Sequence, residues 1–302
     1  MTALEICNLA LGHLGANRIT ALGVRASGFV QVGAEVAEDT ATIAGSIFTL
    51  KADAAEISTY VQIGATSGET ARSLMEEVNQ SAAGASVEAD SSTQVQYGYI
   101  PGIRVYITAR APGTAGNAIT LAEAGSSFTV SGATLTGGTA NDGSTEAILL
   151  DTIYPKCRDA LLMARPWSFA LEQFGLTLLS DADPLWQYTH RLYLPPRLLQ
   201  IVELDGNPEW KQIGRYVYLD DDVADANAVA RVEPDRFSAP FIEALALKVA
   251  ADLCVPLTEN RALALELEQR ARLALRQAAS VDGKPGRSEI KESSWFRLAR
   301  GG

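Results

Sequence analysis

The stretch Asp159–Phe174, DALLMARPWSFALEQF, decides how the chain folds, because a helical run in its first half meets a proline followed by aromatic residues. Pro166 has no backbone N–H, so the helix is expected to stop or bend after Arg165. Trp167 and Phe169 supply large apolar surfaces that would hold the departing chain against a helical body. We expect these side chains to belong to the core, so the stretch predicts a structural turn and not a catalytic motif.

The helical pattern continues on both sides of this stretch. Apolar residues recur every three or four positions in segments that begin near Ala3, Ser144, Ser238 and Thr258. The stripe of the first segment consists of Leu4, Cys7, Leu11 and Leu14. Gly15 is expected to end that first helix. Pro155 is expected to interrupt the second helix, whereas Pro256 lies just past the expected end of the third.

Two alternating segments lie between the second and third helices, LYLPPRLLQIVELDG at 192–206 and WKQIGRYVYLDDD at 210–222. Alternation of apolar and polar residues indicates half-buried strands. Turn-forming residues 205–208 lie between the segments, so we expect the two to pair as a hairpin or small sheet. The start of this sheet would be set by four residues, Tyr188, Tyr193, Pro195 and Pro196.

Residues 24–143 differ in composition, since they are rich in Gly, Ala, Ser and Thr and carry several short alternating segments separated by glycine turns. One segment, SGETARSLMEEVNQS at 67–81, has the helical period instead. Its apolar stripe is formed by Ala71, Leu74, Met75 and Val78. A stretch with strand and helix periods of its own predicts a separate small α+β domain.

This domain would interrupt a discontinuous helical one. The Asn17–Gly23 turn and the segment TANDGST at 139–145 are suitable boundaries, because insertions succeed at exposed loops whose ends lie close together. We therefore predict a helical domain of residues 1–23 and 144–282, an inserted domain of residues 24–143, and an extended tail of residues 283–302. The expected fold class is α+β: a mainly helical bundle with a small β-hairpin or sheet, interrupted by the small α+β domain.

The charge of the chain limits its function. Its 302 residues include 36 acidic and 25 basic ones, a net charge of −11. Residues 24–143 contain 5 basic and 12 acidic residues, net −7, whereas residues 283–302 contain 5 basic and 2 acidic, net +3. Sequence-reading DNA binding needs a basic surface, so it is disfavoured. We find no apolar run long enough for a membrane helix, and the N-terminus predicts an amphipathic helix and not a signal peptide.

Few residues suggest chemistry. Cys7, Cys157 and Cys254 are far apart in apolar helical contexts and predict buried free thiols, and neither histidine lies in a zinc-binding pattern. The segment GATSGETA at 64–71 lacks the lysine of a phosphate loop and predicts a strand-to-helix turn. Asp220–Asp222 favour a solvated loop over a cation site. We therefore predict no catalytic, cofactor-binding or metal-binding residue, no cofactor and no enzymatic activity.

Five segments, in this order, carry a family resemblance: ICNLALGHLGANRIT, YPKCRDALLMARPWSFALEQFGLTLL, PLWQYTHRLYLPPRLLQIVEL, FSAPFIEALALKVAADLCVPLTEN and SSWFRLARGG. Together they resemble the head-to-tail adaptors of short-tailed phages, the tail tubular protein A family, over about 180 of the 302 residues. The inserted domain, with its GTAGNAITL and LTGG segments, is similar to a small module of phage tail proteins, including some contractile-tail sheaths. Simple adaptors have only a short connection here, so the sequence departs from the family pattern.

The resemblance implies a structural virion protein at the head–tail junction, made in the host cytoplasm. The implied partners are the portal ring, a tail nozzle or tube protein, and other copies of the chain in a ring, expected to be a dodecamer. DNA would pass through the lumen without sequence-specific binding, and no membrane is involved. Two other functions stay open, a virion-associated peptidoglycan hydrolase and a DNA-binding or terminase-related module, the latter disfavoured by charge.

The tail is the predicted portal-docking segment. It carries a basic-aromatic cluster, formed by Trp295, Phe296, Arg297, Leu298 and Arg300. Trp and Arg are the residue types that most often dominate the binding energy of interfaces. We expect this tail to be mobile in the free monomer and to order on the portal, the alternative being a disordered terminus.

Overall fold

The computed structural model describes residues 1–33, 36–52, 59–91, 103–175, 188–204, 206, 208–220 and 225–283. Within these ranges the chain forms five α-helices and fourteen β-strands. The helices are α1 (Ala3–Leu14), α2 (Ser67–Gln80), α3 (Thr145–Met163), α4 (Ala239–Thr258) and α5 (Arg261–Asp282). The strands are β1 (Ser27–Val32), β2 (Thr40–Ile43), β3 (Ser46–Lys51), β4 (Tyr60–Gln62), β5 (Val87–Ser91), β6 (Arg104–Ala109), β7 (Leu121–Ala124), β8 (Phe128–Val130), β9 (Leu171–Gly175), β10 (His190–Tyr193), β11 (Leu198–Leu204), β12 (Trp210–Ile213), β13 (Tyr216–Leu219) and β14 (Asp225–Ala230).

The fold is α+β, but the expectation of a mainly helical bundle is wrong. Six strands, β9 to β14, lie between α3 and α4 and form two three-stranded sheets, β10-β13-β12 and β11-β14-β9. Each of these strands has only four to seven residues. Strands this short show little period of their own, and β9 pairs with β14 from the far end of the segment. The local pattern of apolar and polar residues therefore predicted fewer strands than the structure contains between α3 and α4.

The expected pairing of the two alternating segments is confirmed at the start of the first segment, where Leu192 and Tyr193 pair with Val217 and Tyr216 in a small sheet, but it is wrong for the rest of that segment. Strand β11 pairs with β14, with Leu198 opposite Ala230, and not with the segment that follows it directly. The hairpin lies instead inside that second segment, where β12 pairs with β13 around Gly214. Gly214 has a φ of 62°, a left-handed conformation that glycine adopts without steric cost.

Buried apolar side chains form two separate clusters. The first lies between α1, α3, α4, α5 and the two sheets of β9–β14, with α4 packed against each of the other three helices. The second lies between α2 and two four-stranded sheets, β5-β6-β1-β8 and β4-β3-β2-β7, and its buried members run from Ala26 to Leu135. The division into domains at residues 23 and 143 stays a prediction, which this separation of the clusters supports.

The helices follow their predicted periods with three corrections. In α1 the most buried residues are Ile6, Cys7, Ala10 and Leu11, so the buried stripe is rotated from the predicted one towards the contact with α4. Helix α3 runs without a break through Pro155. Pro256 lies inside α4 and not beyond it. In both helices packing outweighs the one backbone hydrogen bond that a proline removes.

Other local predictions are confirmed. Gly15 caps α1 with a φ of 65°, and the whole predicted stripe of α2 is buried. Cys7, Cys157 and Cys254 are buried free thiols. Burial raises the pKa of Cys7 to about 12, so this thiol stays protonated at neutral pH.

Candidate functional site

The Pro-Trp turn after α3 packs its aromatic side chains into a cluster of four rings. Trp167 is fully buried, and its indole N–H donates a 2.9 Å hydrogen bond to the carbonyl oxygen of Leu161. Its ring lies 5.1 Å from that of Phe241 on α4, and Phe169 lies 5.1 Å from the same ring. Phe237 completes the cluster at 4.9 Å from Phe241. The aromatic residues predicted to pin the chain therefore do so, and they pin it to α4.

The same turn holds the end of α5, in an arrangement we call the corner (residues 165–168 with residues 279–282). The guanidinium of Arg165 donates a 2.8 Å hydrogen bond to the carbonyl oxygen of Ala279 and lies 5.2 Å from the ring of Trp167. The amide of Ser168 donates to the carboxylate of Asp282 at 3.2 Å. Arg165 also lies 3.8 Å from that carboxylate. The corner fixes where the chain leaves α5, at Gly283.

The other predicted structural residues lie in different places. Pro166 is exposed at the turn, while Pro195 and Pro196 are buried just before β11. Tyr193 is half-buried against the second cluster, at the side of the molecule where residues 24–143 meet the rest. Tyr188 is half-buried shortly before β10. The predicted docking residues Trp295, Phe296, Arg297, Leu298 and Arg300 lie outside the described residues.

A polar contact region, which we call the seam, joins residues 24–143 to the rest of the chain. Its first patch lies along β5, at the edge of its sheet, where Glu88 and Asp90 face arginines of the other part. Arg231 donates to Glu88 at 3.1 Å and to Asp159 at 2.8 Å. Arg197 lies 3.7 Å from Asp90. Charged side chains at the edge of a sheet protect it from pairing with the strands of other chains.

The second patch of the seam centres on Glu76 of α2. The hydroxyl of Tyr216 on β13 donates a 2.8 Å hydrogen bond to Glu76, and Gln80 donates to both of them, at 2.8 Å to Glu76. Arg191 lies over the ring of Tyr216 at 4.6 Å, and Tyr193 meets that ring edge-on at 5.7 Å. The two parts of the chain thus meet through hydrogen bonds, charges and tyrosines.

The carboxyl groups of this patch are shifted towards their neutral form. Burial raises the pKa of Glu76, an effect that the hydrogen bond from Tyr216 opposes. Burial, together with the neighbouring charge of Glu76, raises the pKa of Glu77 to about 7, against the influence of Arg191. Desolvation favours the uncharged carboxylic acid, so Glu77 takes up a proton as the pH falls through about 7.

The first patch is held in its charged form. Burial disfavours charge on Asp159, but its hydrogen bonds and proximity to Arg231 and Arg158 lower the pKa of the carboxyl overall. Burial also disfavours the charge of Arg231, but its hydrogen bonds to Asp159 and Glu88 and their negative charges raise its pKa overall. Both shifts favour the charged forms. The two patches therefore respond differently to pH.

The two chain crossings between the parts lie side by side. The side chain of Asn8 accepts from the amide of Ile19 at 2.9 Å and donates to its carbonyl at 3.0 Å. The amide of Thr20 donates to Asp142 at 2.7 Å, and the amide of Gly23 donates to Asp151 at 2.9 Å. The bonds of Thr20 and Gly23 hold the segment that leads into residues 24–143 next to the segment that leads out of them, as an inserted domain requires.

The weaker chemical candidates are structural. In the turn at 64–71, the amide of Ala65 donates to Glu69 and that of Gly64 to Thr70, so the chain's own side chains satisfy both of these amides. The strand-to-helix turn is confirmed. Asp220 accepts a 3.0 Å hydrogen bond from the amide of Thr189. Asp221 and Asp222 lie outside the described residues.

Within the described ranges, no three His, Cys, Asp or Glu side chains are grouped to hold a metal ion. No helix in the same ranges is both long and apolar enough to cross a bilayer. Comparison of the sequence with protein-family models and with curated proteins finds no match.

Little in the sequence pattern marks the seam or the corner in advance. Arg231 and Glu88 are 143 positions apart, and Arg165 is 114 positions from Ala279. A lone arginine in a polar segment has the same local signature whether its partner is solvent or a distant carboxylate. For Arg165, its position directly before Pro-Trp was the one available signal.

Proposed function

We propose that the chain is a structural component of a phage particle, an adaptor at the head–tail junction. Copies of it would form a ring that docks under the portal, extends the DNA channel and offers a platform for the tail nozzle or tube. The body would be residues 1–23 and 144–282, with residues 24–143 as an inserted module. Residues 283–302 would be the portal-docking tail.

The corner is the observation that carries this proposal. The aromatic cluster holds the Pro-Trp turn on α4, and Arg165 and Ser168 hold the last turn of α5. A segment that leaves from a fixed point searches a smaller volume for its partner, which raises its effective concentration at a neighbouring site. The basic-aromatic tail follows directly after this fixed point, so the corner would direct it at the portal.

The charge distribution supports the role in DNA passage. The chain has a net charge of −11, and a negative lumen does not retain DNA, whose phosphates bind basic surfaces. The tail, with net charge +3, is the exception. Its arginines would pair with portal carboxylates or carbonyl oxygens, and its Trp295 and Phe296 would fill an apolar groove.

The seam is consistent with a module added to a complete body. The two apolar clusters are separate, and the contacts between the parts that we described are polar or involve tyrosine. Such a module can be present or absent without changing the core of the body. This agrees with a resemblance to adaptors that have only a short connection at this position.

Assembly with purified portal rings tests the proposal. The full chain should form a ring on the portal, visible by electron microscopy, whereas a chain truncated after Gly286 should stay folded and fail to join. A tail that keeps its length and charge, with Trp295→Ser and Phe296→Ser, isolates the aromatic contribution and should also fail. Assembly of the truncated chain as efficient as that of the full chain would overturn the docking role of the tail.

The hydrolase alternative has its own test. Glu77 has a pKa raised to about 7, as a general acid of a glycosidase would need. Its neighbour Glu76 is bound by Tyr216 and Gln80, which favours a role in joining the two parts. Digestion of peptidoglycan by the wild-type chain that is lost in Glu77→Gln would replace the structural proposal by an enzymatic one.

A further inference from the structure

Helix α2 lies between the second cluster and the body. Its apolar stripe is buried in the cluster, whereas Glu76 lies on the side that meets the sheet β10-β13-β12, where the hydroxyl of Tyr216 donates to it. Glu77 is half-buried directly beside Glu76. The charge of Arg191 on β10 acts on both carboxyl groups. Two neighbouring carboxyl groups of the inserted module therefore face one arginine of the body.

The charges of this second patch balance only when one carboxyl group is neutral. Glu76 accepts hydrogen bonds from Tyr216 and Gln80, which favour its charged form, and Arg191 offsets that one negative charge. Loss of the proton from Glu77 places a second negative charge beside the first in a half-buried site. Among the described residues, Arg191 is the cation that acts on Glu77. A charged Glu77 therefore weakens the patch.

The tyrosines and the histidine on the body side do not supply this change of charge. Burial raises the pKa of Tyr193 to about 12 and also raises the pKa of Tyr216, so both hydroxyls stay protonated near neutral pH. His190 lies on the same face of β10 as Leu192, which is buried in the first cluster. Its ring is thus on the side of the sheet away from α2.

The strands of the module that pack against α2 add no further group on this side. Strands β4, β5 and β6 turn their buried apolar residues to the second cluster. Their titratable side chains alternate with these and lie on the opposite face of the strands: Tyr60, Glu88, Asp90, Arg104 and Tyr106. Glu77 is therefore the group of the second patch whose charge changes near pH 7.

The two chain crossings form a hinge beside the seam. Val24 and Thr139 exchange backbone hydrogen bonds of 2.9 and 3.2 Å, and the amide of Asp142 donates to the carbonyl oxygen of Ala21 at 3.3 Å. The crossings are thus a single paired ribbon. The module can turn about this ribbon without opening the interior of either apolar cluster, at the expense of the contact between Tyr193 and the second cluster.

We propose that the second patch is a pH-sensitive switch, which holds the module against the body when Glu77 is neutral and releases it to turn about the crossings when Glu77 is charged. We call the two arrangements closed and open. The first patch stays charged in both, so Arg231 adds an attraction that does not vary with pH in this range. The inference concerns one chain and does not rest on the proposed ring function.

The direction of the response follows from proton binding. Burial, with the charge of Glu76, raises the pKa of Glu77 from 4.5 to about 7 in the closed arrangement. The closed arrangement therefore binds the extra proton, and its advantage is lost as the pH rises from 4.5 to about 7. The whole difference corresponds to about 300-fold in the equilibrium, and solvent screening reduces it, so we expect at least about 10-fold.

Distances between two spin labels in the full chain measure the movement. The labels are attached to Ile47→Cys in the module and Leu265→Cys on α5, both at exposed positions, whereas the native cysteines are buried. Arg231→Met weakens the first patch, so that the open arrangement is populated enough to be measured. Between pH 5.5 and pH 8.5 the ratio of long to short distances should rise at least about 10-fold. Labels at Ile148→Cys and Leu265→Cys, both in the body, should keep one distance.

Glu77→Gln, added to the same labelled chain, is the decisive variant. Its side chain is neutral at every pH, so the ratio should stay at its low-pH value. Glu123→Gln, at an exposed position of β7, should leave the rise intact. Circular dichroism at each pH checks that the chain stays folded. If Arg231→Met unfolds the chain, Glu88→Gln replaces it, since it removes the module's side of the same ion pair.

Two results would overturn the inference. An unchanged distance distribution between pH 5.5 and pH 8.5 in the Arg231→Met chain would show that the seam does not open. A rise that persists in Glu77→Gln would assign the response to another group. Neither result bears on the ring, which assembly on portal rings tests separately. A chain that opens with rising pH and never joins the portal would keep the switch and reject the ring function.

Discussion

The hydroxyl of Tyr216 donates a 2.8 Å hydrogen bond to Oε1 of Glu76, joining residues 140 positions apart. Tyr216 belongs to the sheet β10-β13-β12 and Glu76 to α2, on opposite sides of the seam. The bond satisfies a carboxyl group whose burial would otherwise be costly. Conservative substitutions at these two residues therefore test how residues 24–143 are attached to the rest of the chain.

Tyr216→Phe removes that hydroxyl and keeps the ring. The free energy of unfolding should fall by about 1 kcal/mol, the usual contribution of one hydrogen bond between partly buried groups. Tyr106→Phe, at an exposed position of β6, should change it by less than half as much. Equal effects of the two substitutions in urea unfolding would show that the hydroxyl of Tyr216 does not stabilise the seam.

Arg231→Met tests the first patch of the seam. It leaves Asp159 with Arg158 and Glu88 with Arg25 at 3.9 Å, and the loss of the arginine shared by these two half-buried carboxylates should cost about 1–3 kcal/mol of stability. Arg272→Met removes an exposed arginine that pairs with Glu268 on its own helix, so it should cost less than about 0.5 kcal/mol. Thermal unfolding at low and high salt measures both, and a larger effect for Arg272 would contradict the seam.

Glu77 predicts a definite pH dependence. Its pKa is raised from 4.5 to about 7 in the folded chain, so the folded state binds more protons than the unfolded state between these values. Its contribution to stability is therefore present at low pH and is lost as pH rises from 4.5 to about 7.

Glu77→Gln removes this dependence. The variant should be more stable than the wild type by about 1 kcal/mol at pH 8, with little difference at pH 4, once solvent screening is allowed for. Glu123→Gln, at an exposed position of β7, is the control. Urea unfolding from pH 4 to pH 8 measures both, and parallel curves for wild type and Glu77→Gln would reject the role given to this carboxyl.

Trp167→Ala should destabilise the chain by about 3–5 kcal/mol, because it empties a fully buried site surrounded by Phe169 and Phe241. Trp210→Ala, at a half-buried position of β12, is the matched control and should cost less. The melting temperature of each variant reports the difference. A Trp167 variant that melts with the wild type would mean that the turn does not depend on its aromatic cluster.

Residues 24–143 should fold when excised, since their apolar cluster lies within this range. The fragment should be soluble and unfold in one cooperative transition. A fragment with the circular dichroism of an unfolded chain would show that the inserted region needs the seam to fold, and would reject the two-domain division.

Much of the helical part of the fold could be predicted from the sequence. The stripe of Ala71, Leu74, Met75 and Val78 is buried in α2 as its period indicates, and α3 ends at Met163, just before the Pro-Trp turn. These features depend on residues within one or two turns of each other. The period of the apolar residues in an element therefore predicts which side of that element faces the core.

The parts that failed depend on distant residues. Strand β11 has a turn and a strand directly after it, yet it pairs with β14. The choice depends on how several short strands share backbone hydrogen bonds when packed against α3, and no single segment carries that information. Tertiary packing likewise keeps α3 continuous through Pro155.

The candidate site divides in the same way. The sequence alone determined that Trp167 would be buried and that Phe169 would pack beside it at the end of α3, because a proline and two large aromatic residues leave few other outcomes. Only the tertiary structure decided that Arg165 would hold Ala279, that Tyr216 would meet Glu76, and that Arg231 would meet Glu88. A polar side chain can be satisfied by water or by any suitable partner, so its choice is fixed only when the folded backbone brings one partner within reach.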